Sequence, residues 1–136
     1  MTDQDPTAQF RGGNAAVSTY MTDAIVALAP TASLREAATV IAEASVGCIV
    51  VGSHGAVEGV ITERDLVIAI ATGRDVDTTT VADVESKRLV WAGPETSVGD
   101  VAEEMMEDYV RHVLVGDDGT ISGIVSMRDV ITAYMS

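Results

Sequence analysis

Short apolar runs and helical apolar spacing alternate along the chain, which predicts a mixture of strands and helices. Four of the runs form two pairs around glycine-containing turns: Gly47–Gly52 with Val57–Ile61, and His112–Gly116 with Ile121–Val125. Runs of this length around a turn are typical of β-hairpins. Further apolar runs near 25–29 and 89–92 predict an opening strand in each half of the chain.

Helix signals precede and follow each hairpin. Ser33 and Ser97 each end an extended segment and stand three positions before an acidic residue, as at the start of a capped helix. A second helix is predicted to begin at Thr62 and at Ser126, and the first of these to end near Gly73. Each half therefore reads β-α-β-β-α.

The second half of the chain repeats the first without a gap. A shift of 64 positions places Pro30 on Pro94 and aligns Arg64-Asp65 with Arg128-Asp129. An internal repeat predicts two copies of one supersecondary unit. We therefore expect an α+β fold made of two similar halves.

The repeat also sets the expected boundaries. Residues 17–73 form the first half and residues 81–136 the second, joined by a polar linker at 74–80, while residues 1–16 carry no pattern and are expected to be a mobile tail. The stretch Leu66–Ala71 is apolar all round. One side should pack on its own sheet, and the other should be buried by the second half or by a second subunit.

Composition agrees with a packed domain. Hydrophobic residues make up 47% of the 136 residues and aromatic residues 4%, so the core must be mainly aliphatic. No apolar run reaches the ~18 residues of a membrane span, and the start of the chain lacks the order of a secretory signal, so we expect a cytoplasmic protein. Cys48, the single cysteine, should be buried, and two histidines in different contexts make no metal-ligand cluster.

The net charge is −13 and argues against two classes of partner. Phosphate backbones and anionic membranes would be repelled, so neither nucleic acid nor a membrane is expected. An acidic chain with a single lysine resembles proteins of salt-loving organisms, in which salt screens the repulsion. An ordinary acidic cytoplasmic protein is the alternative.

One short motif marks the junction between hairpin and second helix in each half. It reads Gly59-Val-Ile-Thr62-Glu-Arg64-Asp65 and then Gly123-Ile-Val-Ser126-Met-Arg128-Asp129. A helix N-terminus favours a phosphate, and the Thr or Ser hydroxyl adds a donor there. About one turn later the Asp carboxylate can accept both hydrogen bonds of a ribose diol, and the glycine lets a ligand approach the backbone.

Both copies match in full the pattern of CBS domains, which is glycine, two mostly apolar residues, Ser or Thr, two variable residues and Asp. From about Val17 to Ser136 the chain resembles a CBS domain pair, and it is similar to stand-alone haloarchaeal CBS proteins. The resemblance implies halves packed sheet to sheet about a pseudo-twofold axis. It also implies an AMP, ADP or ATP ligand, with phosphate at Ser or Thr, ribose at Asp and adenine between apolar strand residues.

The resemblance further implies a regulatory module that forms a homodimer through its helices and signals to a separate protein or through the dimer itself. Two alternatives stay open. The motifs would also serve as capping boxes in a structural or adaptor protein without a ligand, and the ligand can instead be S-adenosylmethionine or adenosine. Catalysis and a catalytic cofactor are not expected, because we find no nucleophile, metal site or general base beyond the two aspartates.

Basic residues distinguish the two motifs. Arg64 and Arg128 are either ligand contacts or solvated first-turn residues. Arg111-His112 opens the second hairpin, where the resemblance implies a basic pair that contacts phosphates, whereas the equivalent Gly47-Cys48 is uncharged. We therefore expect the motif with Asp129 to bind phosphate better and the motif with Asp65 to prefer a less charged ligand.

Overall fold

The computed structural model describes residues 12–136 and contains two separate three-stranded sheets, each accompanied by helices. The chain divides into two compact units. We call Ile25–Leu89 the first unit, and residues 12–24 together with Val90–Ser136 the second unit. The predicted α+β class with two similar halves is confirmed. Residues 1–11 of the predicted tail lie outside the described residues.

The first unit follows the predicted β-α-β-β-α order and adds one short helix. Its elements are β1 (Ala27–Leu28), α1 (Leu34–Ala44), β2 (Cys48–Ser53), β3 (Ala56–Thr62), α2 (Glu63–Ala71) and α3 (Val81–Val84). The central strand β2 runs parallel to β1 and antiparallel to β3. Helix and sheet residues bury their apolar faces in one core that contains Leu34, Ile49, Val51, Ile61 and Val81.

The second unit repeats this topology. Its elements are β4 (Trp91–Ala92), α4 (Val98–Asp108), β5 (His112–Asp117), β6 (Thr120–Ser126) and α5 (Met127–Tyr134). Strand β5 runs parallel to β4 and antiparallel to β6. The core contains Val98, Val101, Met105, Val113 and Val125.

The predicted helix starts are set by hydroxyl caps. The Oγ atoms of Ser33 and Ser97 each accept a hydrogen bond of 3.1 Å from the amide three residues on, at Glu36 and Asp100. Such a bond satisfies one of the unpaired amides of a helix start. The two hairpins also share a register shift, which lies between Val51 and Gly52 in the first unit and at the equivalent place in the second.

The segment before each opening strand folds with the other repeat's sheet. Ser86 pairs with Val60 on the edge of β3 that is not paired with β2, with N–H···O distances of 2.8 and 3.0 Å. Thr22 pairs in the same way with Ile124 on β6, at 2.8 and 2.9 Å. Residues 81–89 therefore belong to the first unit and residues 17–24 to the second, although the repeat assigns them to the opposite halves.

The described part of the predicted tail, residues 12–16, belongs to the second unit. A 3-10 turn spans Gly12–Asn14, and the carbonyl of Ala15 accepts a hydrogen bond of 2.9 Å from the amide of Val98. Gly13 is buried beside Tyr134. These residues thus close the N-terminal end of α4.

The apolar helix α2 is buried on one side and exposed on the other. Leu66 and Ala69 are buried in the core as expected. Val67, Ile68 and Ile70 are 64%, 48% and 61% exposed. The core of the first unit takes up one stripe of the helix, and these three side chains are exposed in the described part of the chain, so burial of the second side by a second subunit stays a prediction. Among the described residues, no helix is long and apolar enough to cross a membrane.

Candidate functional site

Each motif begins a helix with a complete capping box. In the first unit the amide of Thr62 donates to Asp65 Oδ2 at 2.8 Å, and the amide of Asp65 donates to Thr62 Oγ1 at 3.2 Å. In the second unit the amide of Ser126 donates to Asp129 Oδ2 at 2.8 Å, and the amide of Asp129 donates to Ser126 Oγ at 3.1 Å. The two motifs thus present the same backbone and the same side-chain pair.

The capping boxes engage one oxygen of each aspartate. Both bonds that Asp65 accepts from Thr62, one from the amide and one of 3.0 Å from the hydroxyl, end on Oδ2. The bond that Asp129 accepts from Ser126 also ends on Oδ2. Both aspartates are partly exposed. A ligand hydroxyl can therefore bind the second carboxylate oxygen while the cap stays intact.

Strand register places the predicted basic pair beside the second motif. His112 is paired with Ser126 across the β5–β6 ladder, and the carbonyl of Arg111 accepts a hydrogen bond of 2.9 Å from the amide of Met127. Arg111 is exposed and His112 partly buried. The second motif therefore has an arginine whose backbone is hydrogen-bonded to the first residue of the helix.

The equivalent place in the first unit is uncharged. Cys48 is paired with Thr62, and the carbonyl of Gly47 accepts a hydrogen bond of 3.2 Å from the amide of Glu63. Cys48 is buried, and burial raises the pKa of its thiol to about 12, with a smaller contribution from the charge of Asp65. The predicted burial of this cysteine is confirmed.

Contacts within the chain explain why both motifs have glycine at their first position. A Cβ atom on Gly59 would lie 2.8 Å from the carbonyl oxygen of Ser86, and one on Gly123 would lie 2.7 Å from Met21 Cγ. Carbon atoms do not approach that closely without strain. Sequence reasoning considered only a ligand at these glycines and missed the two segments that pack over them, residues 85–86 and 21–22. The repeat extends upstream and aligns Met21 with Glu85, but this alignment does not show that either residue packs over a glycine.

The other candidate residues remain at the surface. Arg64 and Arg128 are exposed in the first turns of α2 and α5. His54 is exposed in the β2–β3 turn, with Nε2 at 3.4 Å from the carbonyl oxygen of Ile25. Within residues 12–136, no three His, Cys, Asp or Glu side chains are grouped so that they could hold a metal ion. The chemistry of the described residues is thus centred on the two motifs.

Comparison with known proteins identifies the family. A model of the CBS domain matches the chain twice, at residues 17–72 and 81–136. The chain belongs to the CBS domain family. The CBS domain-containing protein YhcV of Bacillus subtilis is 31% identical to it over 121 residues, which cover 88% of this chain and 86% of that protein.

Two solved structures extend the likeness of these CBS repeats to the fold. A conserved protein of Pyrococcus horikoshii has a TM-score of 0.83 and 29% identity, covering 91% of this chain and 95% of that one. The CBS domain protein PAE2072 from Pyrobaculum aerophilum, solved in complex with AMP, has a TM-score of 0.76 and 28% identity, covering 84% and 88%. The resemblance drawn from the repeated motif is therefore confirmed at the level of family and fold.

Proposed function

We propose that this CBS pair is a regulatory module that senses an adenosine nucleotide of the AMP, ADP and ATP class. The observation that carries the proposal is the register of β5 and β6, which puts His112 opposite Ser126 and Arg111 beside the start of α5. A phosphate at this helix end would meet a hydroxyl, a backbone amide and an arginine together. The likeness to PAE2072, which was solved with AMP, supports the choice of ligand.

The arrangement of amides indicates how the phosphate would be held. The amide of Met127 donates to Arg111 and that of Asp129 to Ser126, so both are satisfied within the unit. We infer that the amide of Arg128, which lies between them, binds the phosphate, and that Asp129 accepts the ribose hydroxyls. Gly123 and Ser126 complete the site by permitting the close fold and supplying a hydroxyl.

The first repeat offers a different environment to the same kind of ligand. Gly59, Thr62 and Asp65 repeat the backbone and the ribose acceptor, but Cys48 replaces the histidine and Glu63 replaces Met127. Arg64 is then the nearest cation of the motif. We infer that this motif takes adenosine or another ligand with less negative charge, S-adenosylmethionine included.

Signalling in this proposal passes through a homodimer. Each unit presents exposed apolar side chains on its second helix or directly after it. These are Val67, Ile68 and Ile70 on α2, Ile131 on α5, and Met135 directly after α5. Exposed apolar surface of this kind marks an interaction face. A ligand that favours one of two dimer geometries would shift their populations and so inform a separate partner protein. The module would act in the cytoplasm and catalyse no reaction.

A thermal-shift panel with AMP, ADP, ATP, adenosine, NAD and S-adenosylmethionine tests the ligand class. A ligand that binds the folded state alone must raise the melting temperature. We expect AMP to raise it in the wild type and to bind Arg111→Ala about tenfold more weakly, since a hydrogen bond to a charged group is lost. Arg74→Ala removes the same charge from the linker and should leave AMP binding unchanged.

Two results would overturn parts of this proposal. No response to any compound at high salt would favour the structural or adaptor protein, in which the motifs only cap helices. An equal loss of AMP binding in Arg111→Ala and Arg74→Ala would mean that general charge, rather than the register of His112 and Ser126, attracts the ligand. The dimer is tested separately by sedimentation of Ile68→Asp, which should be monomeric. The control is Ala42→Asp, at an exposed position of α1, which should not be monomeric.

A further inference from the structure

Glu85 and Met21 occupy equivalent positions over the two motif glycines. The shift of 64 positions aligns them, and each precedes the residue that pairs with the edge of a sheet. Met21 packs against the core of the second unit. Glu85 places a carboxyl group over Gly59 in the first unit, where the second unit has a thioether.

The Glu85 carboxyl group is buried without a partner. Neither Oε1 nor Oε2 is accessible to solvent, and neither has a hydrogen-bond partner among the described residues. An ionised carboxylate in such a place loses its hydration and gains nothing in return. The neutral acid is the form that this position tolerates.

The charged neighbours of Glu85 do not neutralise it. Glu58, on β3, adds negative charge, and Lys87, two residues further along the segment, opposes it. Asp83 of α3 is used in its own cap, where it accepts a hydrogen bond of 3.1 Å from the amide of Thr80. Burial first, and Glu58 second, raise the pKa of Glu85 above its ordinary value.

We propose that Glu85 is a proton-sensitive latch, which holds residues 85–86 on the free edge of β3 when the carboxyl group is neutral and loosens them when it ionises. Met21 holds residues 21–22 on β6 in the same way but without a titrating group. Released, Glu85 is an ordinary carboxyl group with a pKa near 4.5; docked, its pKa is higher. Docking is therefore unpenalised below that ordinary value and weakens as the pH rises toward the docked value.

The latch lies at a place where its release would matter. Residues 85–89 lead directly into β4 of the second unit, and they cover the edge of the strand that ends at Thr62. Loosening them would free the connection between the repeats and uncover one edge of the sheet that carries the first motif. This inference does not depend on the proposed ligand.

Hydrogen exchange tests the latch without any ligand. The amides of Val60 and Ser86 are bonded only through the docked segment, and those of Thr22 and Ile124 report the same pairing in the second unit. As the pH rises above the ordinary pKa of a glutamate, we expect protection factors of the first pair to fall by at most about tenfold per pH unit, and then to level off. The second pair should keep constant protection factors.

Matched variants assign the effect to one side chain. Glu85→Gln and Glu85→Met should both abolish the pH dependence, and Glu85→Met should raise the melting temperature at pH 8 by on the order of 5 °C. Glu58→Gln removes the neighbouring negative charge and so lowers the docked pKa, and it should make the fall smaller and end it at lower pH without abolishing it. Equal pH dependence in both amide pairs, or an unchanged dependence in Glu85→Gln, would overturn the proposal.

Discussion

The two repeats fold alike around their motifs but differ in the residues that lie beside them. Thr62 and Ser126 make the same capping boxes, with the same 2.8 Å bond to the aspartate. The strand opposite begins with Gly47-Cys48 in one repeat and Arg111-His112 in the other. Capping and strand pairing are therefore the same in both repeats. The charge beside the motif differs, because it depends on the two residues at the start of the neighbouring strand.

The largest predicted effect concerns Cys48, at the uncharged strand start of the first repeat. Because its pKa rises from 9.0 to about 12, the native thiolate fraction at pH 8 should be about a thousandfold lower than in the unfolded chain. Reaction with a thiol reagent in native and denaturing buffer measures this. The native state also keeps the proton where the unfolded chain loses it, so the free energy of unfolding should fall as the pH rises from 9 to about 12.

Rapid modification of the native protein at pH 8 would contradict this account. It would show that the strand start of the first repeat is open and polar, like that of the second. The variant Cys48→Ala serves as the control for reaction at other groups.

The second effect separates the two glycines. Gly59→Ala should cost about 1–3 kcal/mol, because the new methyl group meets the backbone oxygen of Ser86, which cannot move independently. Gly123→Ala should cost less than about 1 kcal/mol, since it meets the flexible side chain of Met21. Urea denaturation of both variants measures the difference. A larger cost for Gly123→Ala would contradict the prediction that the Met21 side chain yields more easily than the backbone of Ser86.

The third prediction is an equal loss of stability when either motif loses its hydroxyl cap. Thr62→Ala and Ser126→Ala each remove one hydroxyl cap and should each lower the free energy of unfolding by about 1 kcal/mol. The same urea experiment, without ligand, measures both, and Ser97→Ala provides a cap outside the motifs. A cost in one motif several times that in the other would mean that the hydroxyl does more than cap its helix in that repeat.

Much of this fold could be predicted from the sequence, because its signals are local. Helices start at the predicted positions, directly after Ser33, Thr62, Ser97 and Ser126. The two hairpins coincide with the apolar runs. The side-chain pairing of Asp129 with Ser126 also follows from a spacing of three residues. Such features depend on a few neighbouring residues and on hydrogen bonds that the backbone must satisfy.

Other features depend on long-range pairing, which the sequence pattern does not show. The apolar stretch Leu66–Ala71 predicted two buried sides, but a run of apolar residues does not reveal whether a second copy of the chain covers one of them. The burial of Glu85 was missed because a glutamate after a short helix looks like surface. Only the pairing of Ser86 with Val60 brings its carboxyl group over Gly59.

Calorimetry with AMP on Asp129→Ala and Asp65→Ala tests the central claim, that the repeats are alike in fold and unlike in ligand preference. Asp83→Ala, which removes the capping box of α3 outside both motifs, controls for the loss of a cap. We expect Asp129→Ala to weaken AMP binding at least about tenfold, since a hydrogen bond to a charged group is lost, while Asp65→Ala and Asp83→Ala retain it. An equal loss in both motif variants, or a loss in neither, would contradict the account.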